Sequence, residues 1–312
     1  MNLLKKCKIC GGKSFNFLFK QRDKNLNFSD KFSLYKCKNC RIIFLNPQPT
    51  DKELEKYYPK EKYYSLGKIE KNSFKTKLKL KLYKIYFNKN KNFLKKILYS
   101  PLKYKVRGAV IQKGKKLLDI GCGSGQFLYE MKQFGMDIYG VEPSDFDEKI
   151  AKEKKLNILK SDLIKANYPS NFFDIITINH VLEHTNDPLK TIKEIYRILK
   201  KRGTLIIGVP NSNALAYSLF KKNWYQLDVP RHLFNFSDKN LKELLQKEGF
   251  KIKKIRYNSR PSQFVVSLYF VLNIKQRKGI CYKILKGVFL PLTWIVNALK
   301  IGDQVEIFVK KK

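Results

Sequence analysis

The chain has 312 residues, 43% of them hydrophobic, and carries 65 Lys and Arg against 26 Asp and Glu, a formal net charge of +39. Length and hydrophobic content exclude a disordered or fibrous chain and allow one large domain with a small module beside it. The charge points to polyanionic partners, whether nucleic acid, anionic lipid or phosphorylated substrate, and chooses none of them.

At the amino terminus, MNLLKKCKIC has lysines but no apolar core segment, which sets a cytoplasmic location as the expectation. Four of the six cysteines form the knuckles CKIC (Cys7, Cys10) and CKNC (Cys37, Cys40). Two such knuckles can wrap four thiolates round one tetrahedral Zn²⁺ and leave no open position for substrate. Residues 1–50 therefore read as a structural zinc ribbon. A disulfide framework is the competing reading, disfavoured where thiols stay reduced. Cys122 and Cys281 read as packing residues. Zinc ribbons also bind nucleic acid, so the module alone does not decide the function.

Residues 51–114 read as a basic, Tyr/Lys-rich helical bridge. Between 68 and 116 the one acid is Glu70, and Leu78, Leu82, Ile85, Phe93, Leu94 and Ile97 fall at near-helical spacing. That pattern predicts a helix with an apolar stripe and a lysine face, although the alternation of Lys77 to Leu82 also permits a strand. The lysine face is either plain solvated surface or a docking surface for anionic lipid headgroups or a phosphorylated carrier.

From 115 onward strands and helices alternate, which predicts an α/β fold on a parallel sheet. KKLLDI runs into Gly121, Gly123 and Gly125, a strand–turn–helix start that turns backbone N–H groups toward a ligand. DIYGVEPS ends a second strand at Glu142, placed to bond ribose hydroxyls. NILKSDL ends a third near Asp162, whose carboxylate could accept from an adenine amino group. FFDIITINHVLEH supplies a fourth strand and TLIIGVP a fifth, after a helix ending at Gly203. SDKNLKELLQKEGF predicts a capped helix, and KIKKIRY and QVEIFVKKK supply the last two strands.

The series LLDIGCGSGQF, VEPS, SDL, DIITINHVLEH and LIIGVPN resembles the class I S-adenosylmethionine-dependent methyltransferases. The resemblance implies a Rossmann-like seven-stranded sheet over residues 115–312 and S-adenosyl-L-methionine as cofactor. It also implies that Asp119 braces the glycine loop, that the three glycines pass the methionine part, and that Glu142, Asp162 and Leu163 hold ribose and adenine. The amino-terminal stretch CKIC…YKCKNCRIIFLNPQPTDKELEKYY resembles that of methyltransferases found with polysaccharide and deoxysugar pathways. That implies a sugar acceptor, nucleotide-linked or lipid-linked. Arg41 stands where such modules have glycine, and the long carboxy-terminal domain of deoxysugar C-methyltransferases is lacking, which puts O-methylation ahead of C-methylation.

A sugar hydroxyl needs a base, and histidine is the usual one near neutral pH. The three histidines all lie in these motifs. His184 and His232 are the candidate bases, and His180 lines the cofactor pocket. Tyr225, Asp228 and Arg231 are candidates to orient substrate, with Arg231 pairing a phosphate. Residues 258–302 interrupt the last two strands with FVVSLYFVLNI and ILKGVFLPLTWIVNALKI. These read as two apolar helices that cover the substrate site or rest at the inner face of a membrane. An RNA methyltransferase using ribbon and basic surface ranks second, for lack of an N-P-P-Y-type motif or a recognisable RNA-binding domain. A non-catalytic ribbon protein ranks third.

Overall fold

The apolar runs of the sequence become two sheets in the computed structural model, which describes residues 1–59, 69–70, 73–87, 93–274 and 277–312. The chain begins with β1 (Phe15–Arg22), β2 (Lys31–Cys37) and β3 (Ile43–Leu45), followed by the short helix α1 (Asp51–Glu55). Thr50 and Glu53 form a reciprocal capping box that starts α1. After α1, the described part of the bridge forms α2 (Phe74–Phe87) and α3 (Phe93–Leu98), so Lys77–Leu82 is helical rather than extended. Helix α2 buries Leu82 and Tyr83, and the Tyr83 ring packs 6.1 Å from Phe127. Helix α3 buries nothing: Phe93 and Leu94 are more than 70% exposed, so the predicted apolar stripe reaches the core only through α2. Part of the predicted bridge, including the rest of its tyrosine-rich stretch, lies outside the described residues.

The larger sheet starts with β4 (Lys116–Ile120), α4 (Gln126–Lys132), β5 (Asp137–Val141), α5 (Glu148–Glu153), β6 (Asn157–Leu159) and β7 (Phe173–Asn179). Next come α6 (Pro188–Ile198), β8 (Leu199–Pro210), α7 (Leu215–Phe220), β9 (Phe234–Asn235), α8 (Asp238–Lys247) and β10 (Phe250–Tyr257). The chain closes with α9 (Ser262–Val271), α10 (Ile280–Ala298) and β11 (Gln304–Lys311). Seven strands lie in the order β10-β11-β8-β7-β4-β5-β6, with β11 antiparallel to both neighbours and the rest of the run parallel. Central strands β7 and β8 read as near-continuous apolar runs because helices cover both faces of a parallel sheet. The strand order reverses at β4, whose neighbours are β5 and β7, and the crevice beyond its carboxyl end is where ligands of such sheets bind.

One boundary differs from the sequence reading. Helix α6 stops at Ile198, and β8 starts at Leu199 instead of Thr204. Phe173 pairs with Leu199 and Ile175 with Thr204, so the residues between bulge out through Arg202 at φ 60°.

The amino-terminal sheet is finished by the large domain. β9 pairs with β3, matching Ile43 with Asn235 and Phe44 with Phe234, to give the order β1-β2-β3-β9. Phe44 and Phe234 then stack with centroids 6.5 Å apart inside a core that runs from the module into the sheet. The amino-terminal module is thus keyed to the segment that carries His232.

Candidate active site

At the end of β4 the Asp119 side chain is fully buried. Its Oδ1 accepts hydrogen bonds from Arg107 Nη2 and Thr177 Oγ1, each at 2.6 Å. Its Oδ2 has no partner among the described residues, a buried acceptor left over for a ligand. The Arg107 guanidinium also lies 3.4 Å from the centre of the Phe127 ring. The following loop is held from the next strand. Glu142 Oε2 accepts from the Gly123 N–H at 2.8 Å and Oε1 from the Ser144 N–H at 3.0 Å. Gly121 and Gly125 have φ of 65° and 82°, and a Cβ at Gly121 would run into Val181, so the turn accepts glycine there and no other residue without strain. Asp162 turns one oxygen back onto its own chain, taking the N–H groups of Ile164 and Lys165 at 3.0 and 2.9 Å, and Leu163 beside it is buried.

The loop leaving β7 brings the three histidines together around a glutamate. His180 sits at φ 55°, and its Nδ1 lies 3.2 Å from Oε1 of the fully buried Glu183. Burial alone would raise the Glu183 carboxyl. The His180 hydrogen bond and the neighbouring imidazoles outweigh it and hold the group below its ordinary value. His184 and His232 meet edge to face with centroids 4.7 Å apart. Each has Nδ1 against a backbone carbonyl: His184 against Arg231 O at 3.0 Å, His232 against Gln226 O at 2.8 Å. A carbonyl only accepts, so both rings carry their proton on Nδ1 and present Nε2 as the basic lone pair. Burial pushes His184 down to about 4, so it stays neutral near pH 7. The His232 Nε2 lies 4.0 Å from Glu183 Oε1 and 3.9 Å from Asp228 Oδ2, oxygens that would attract an imidazolium. Ligand atoms of Glu183, His184 and His232 all fall within 4.8 Å of one another, a spacing that also admits a divalent cation.

Arg231 is placed otherwise than the sequence suggested. Its side chain is buried, with two bonds to Asp23 at 2.7 and 3.0 Å, two to Asp228 at 3.1 and 2.6 Å, and one to the Tyr57 carbonyl at 3.1 Å. Five donors are spent inside the protein, which leaves none for a substrate phosphate. Asp228 likewise faces inward, toward Arg231 and Asn25. Tyr225 remains at an open cleft and is tied to α9 by its N–H, which donates to Ser267 Oγ at 3.0 Å.

Several residues around this site gave little sequence signal. Glu183 stood in HVLEH but had no recognised partner, and Asp23 lies more than 200 residues from Arg231 in an unremarkable loop. Asp303, just before β11, is buried with no hydrogen-bond partner for either oxygen among the described residues. Burial pushes its carboxyl up to about 7, and His180 is near enough to oppose that rise.

The four amino-terminal cysteines converge. Cys7 and Cys40 Sγ are 3.7 Å apart, Cys10 and Cys37 Sγ are 3.6 Å apart, and all four lie within 4.8 Å of one another. A tetrahedron of thiolates at the usual Zn–S length has edges of about 3.8 Å, so the donor set fits that ion. A disulfide needs sulfurs at about 2.05 Å. Arg41, in the place of the usual glycine, adopts the left-handed φ of 62° that closes this knuckle.

The methyltransferase-domain family profile matches residues 94–255, just over half of the chain. A ubiquinone biosynthesis O-methyltransferase of Coxiella burnetii is 30% identical over 156 residues, 48% of this chain and 64% of that protein. One of Actinobacillus pleuropneumoniae is 34% identical over 117 residues, covering 34% and 50%. The chain thus spans less than two thirds of the length of these relatives. Among solved structures, an S-adenosylmethionine-dependent methyltransferase of Archaeoglobus fulgidus is 23% identical with a TM-score of 0.45, covering 74% of this chain and 98% of that one. With the cradle at the end of β4 and the seven-stranded order described above, the chain belongs to the S-adenosylmethionine-dependent methyltransferases.

Proposed function

We propose that the protein methylates a hydroxyl of a nucleotide-linked or lipid-linked sugar. The observation that carries this reading is the pair of Nδ1–H imidazoles, His184 and His232, set around the buried Glu183 beyond the end of β7. Asp119, the glycine loop and Glu142 would hold S-adenosylmethionine, with Asp162 and Leu163 at the adenine end and His180 beside the pocket. When bound, the cofactor supplies a methyl group on a sulfonium. The chain's own part is to position the acceptor and remove its hydroxyl proton, which an imidazole with a free Nε2 can do near neutral pH. Relatives that are O-methyltransferases favour oxygen over carbon or nitrogen as acceptor. The test is transfer of labelled methyl to a panel of nucleotide-sugars, with phenols and RNA as alternatives. Glu142→Ala is expected to lose S-adenosylhomocysteine binding by calorimetry together with transfer. Transfer to RNA alone would overturn the sugar reading.

The Cys₄ cluster is proposed to hold one structural zinc. Protein purified under reducing conditions should contain one equivalent per chain, released by thiol modification and followed with a metal-binding dye. Metal-free protein carrying two disulfides would refute the assignment. Loss of the ion should also disturb the methyl-transfer site, because β9 and Asp23 connect the ribbon to the His232 segment.

A peripheral membrane contact belongs to the same reading. Helix α10 has 19 residues and is long and apolar enough to cross a bilayer by length and composition. It nevertheless leaves Ile280, Ile284, Val288 and Ile295 on one exposed face, 53–69% accessible, and carries Lys283 and Lys286. An apolar stripe flanked by lysines suits the interface of an anionic bilayer better than a span. Co-sedimentation with phosphatidylglycerol vesicles, but not phosphatidylcholine vesicles, is expected. Ile284→Glu with Val288→Glu should abolish it, and equal binding to both lipids would exclude the charged part of the contact.

A further inference from the structure

Between the two insertion helices and the end of the bridge lies a cleft of about 410 Å³, outside the histidine cluster. Arg260, Arg277 and Lys286 line it together with Tyr104, Tyr225 and Tyr282, and no carboxylate does. None of the three cations is paired with an acid among the described residues. Arg277 bonds only the side-chain and backbone oxygens of Asn25, at 2.8 and 2.6 Å, and Lys286 lies over the Tyr282 ring at 5.3 Å. Arg260 and Lys286 are exposed at the mouth. The cleft also meets the first turn of α9, a ten-residue helix with no side-chain cap, whose N-terminal partial charge is positive.

We propose that this cleft is a phosphate-recognition subsite for the acceptor, built to take a mono- or diphosphate ester. Three unneutralised cations around a cavity of this size concentrate positive potential, and guanidinium groups match phosphate oxygens in bidentate geometry. Tyrosine hydroxyls add donors, and their rings offer a face to a base or sugar. The position connects the cleft to the chemistry. Tyr225 forms part of its wall, and Gln226, the next residue, holds His232 by Nδ1. A phosphate anchored here would fix the rest of the acceptor relative to that ring. Arg231, buried between Asp23 and Asp228, cannot serve this purpose, whereas these three residues can. The inference rests on the proposed acceptor class, and it names the group of that acceptor which the protein grips.

The test uses full-length protein saturated with S-adenosylhomocysteine and titrated with inorganic pyrophosphate in a calorimeter. Wild type should bind. Arg260→Gln with Lys286→Gln should weaken binding at least about tenfold, the equivalent of 1.4 kcal/mol and within the range for charge-assisted contacts. Affinity for S-adenosylhomocysteine should not change, which separates a failed subsite from a failed methyltransferase reading. As a control for general charge, Lys242→Gln with Lys247→Gln on α8 should leave pyrophosphate binding as it was; both lysines are exposed. Absence of binding in wild type, or equal weakening in both double variants, overturns the subsite. The source of the phosphate follows from competition. Displacement of pyrophosphate by UDP assigns the cleft to a nucleotide-linked acceptor, and displacement by a water-soluble short-chain prenyl phosphate but not by UDP assigns it to a lipid-linked one.

Discussion

Replacing His232 with alanine is expected to lower turnover at least about a hundredfold, the usual loss when a general base is removed. The reason is geometric. Gln226 O holds the proton on Nδ1, the lone pair of Nε2 is left to accept, and carboxylates on two sides would stabilise the ring once charged. His184→Ala should cost less, because its imidazole, pushed down to about 4, binds a proton weakly at neutral pH. Since His232 is buried, a lower rate could also follow from local repacking. Three readouts separate the causes. A base should lose kcat with little change in KM, retain affinity for S-adenosylhomocysteine, and be partly restored by added imidazole. Activity within twofold of wild type would exclude His232, and a loss carried by KM alone would make it a packing residue.

The parts of the fold legible in the sequence are those governed by local pattern. The strands themselves follow from apolar runs separated by helices and glycine turns, and the segment SDKNLKELLQKEGF reads as the capped helix that α8 forms. Glu142 was legible because its distance from the loop in sequence is set by one βαβ unit. The convergence of the four cysteines was legible because CKIC and CKNC each set two thiols at short spacing. What local pattern cannot carry is long-range pairing. Nothing in FNFS announced that β9 would become the fourth strand of the amino-terminal sheet, since two residues give no period to read. Arg231 beside His232 looked like a substrate ligand because its carboxylate Asp23 lies in another module. Asp303 gave no signal at all, because a buried acid without a partner is defined by its surroundings.

The same long-range pairing sets the second large effect. Arg231→Met should destabilise the protein by about 3–5 kcal/mol in denaturant unfolding at neutral pH, the cost of stranding buried charge. Asp23 and Asp228 would both lose their cation while remaining out of water. The pH dependence gives an independent check. Burial alone would raise Asp228, but the Arg231 charge and hydrogen bonds outweigh it and hold the carboxyl at about 2, below its ordinary 3.8. A group depressed on folding contributes stability above its unfolded value, and that contribution disappears as pH falls through the folded one. Wild type should therefore lose stability between about pH 4 and pH 2. The variant should lose less over that window, because the Asp228 carboxyl is no longer held down, so the gap between the two proteins narrows in acid. If Arg231 were instead a substrate ligand, the variant would unfold like wild type at every pH and differ only in KM. Loosening this pair would also free the loop that carries His232 from the amino-terminal module, so the surviving folded fraction should turn over more slowly as well.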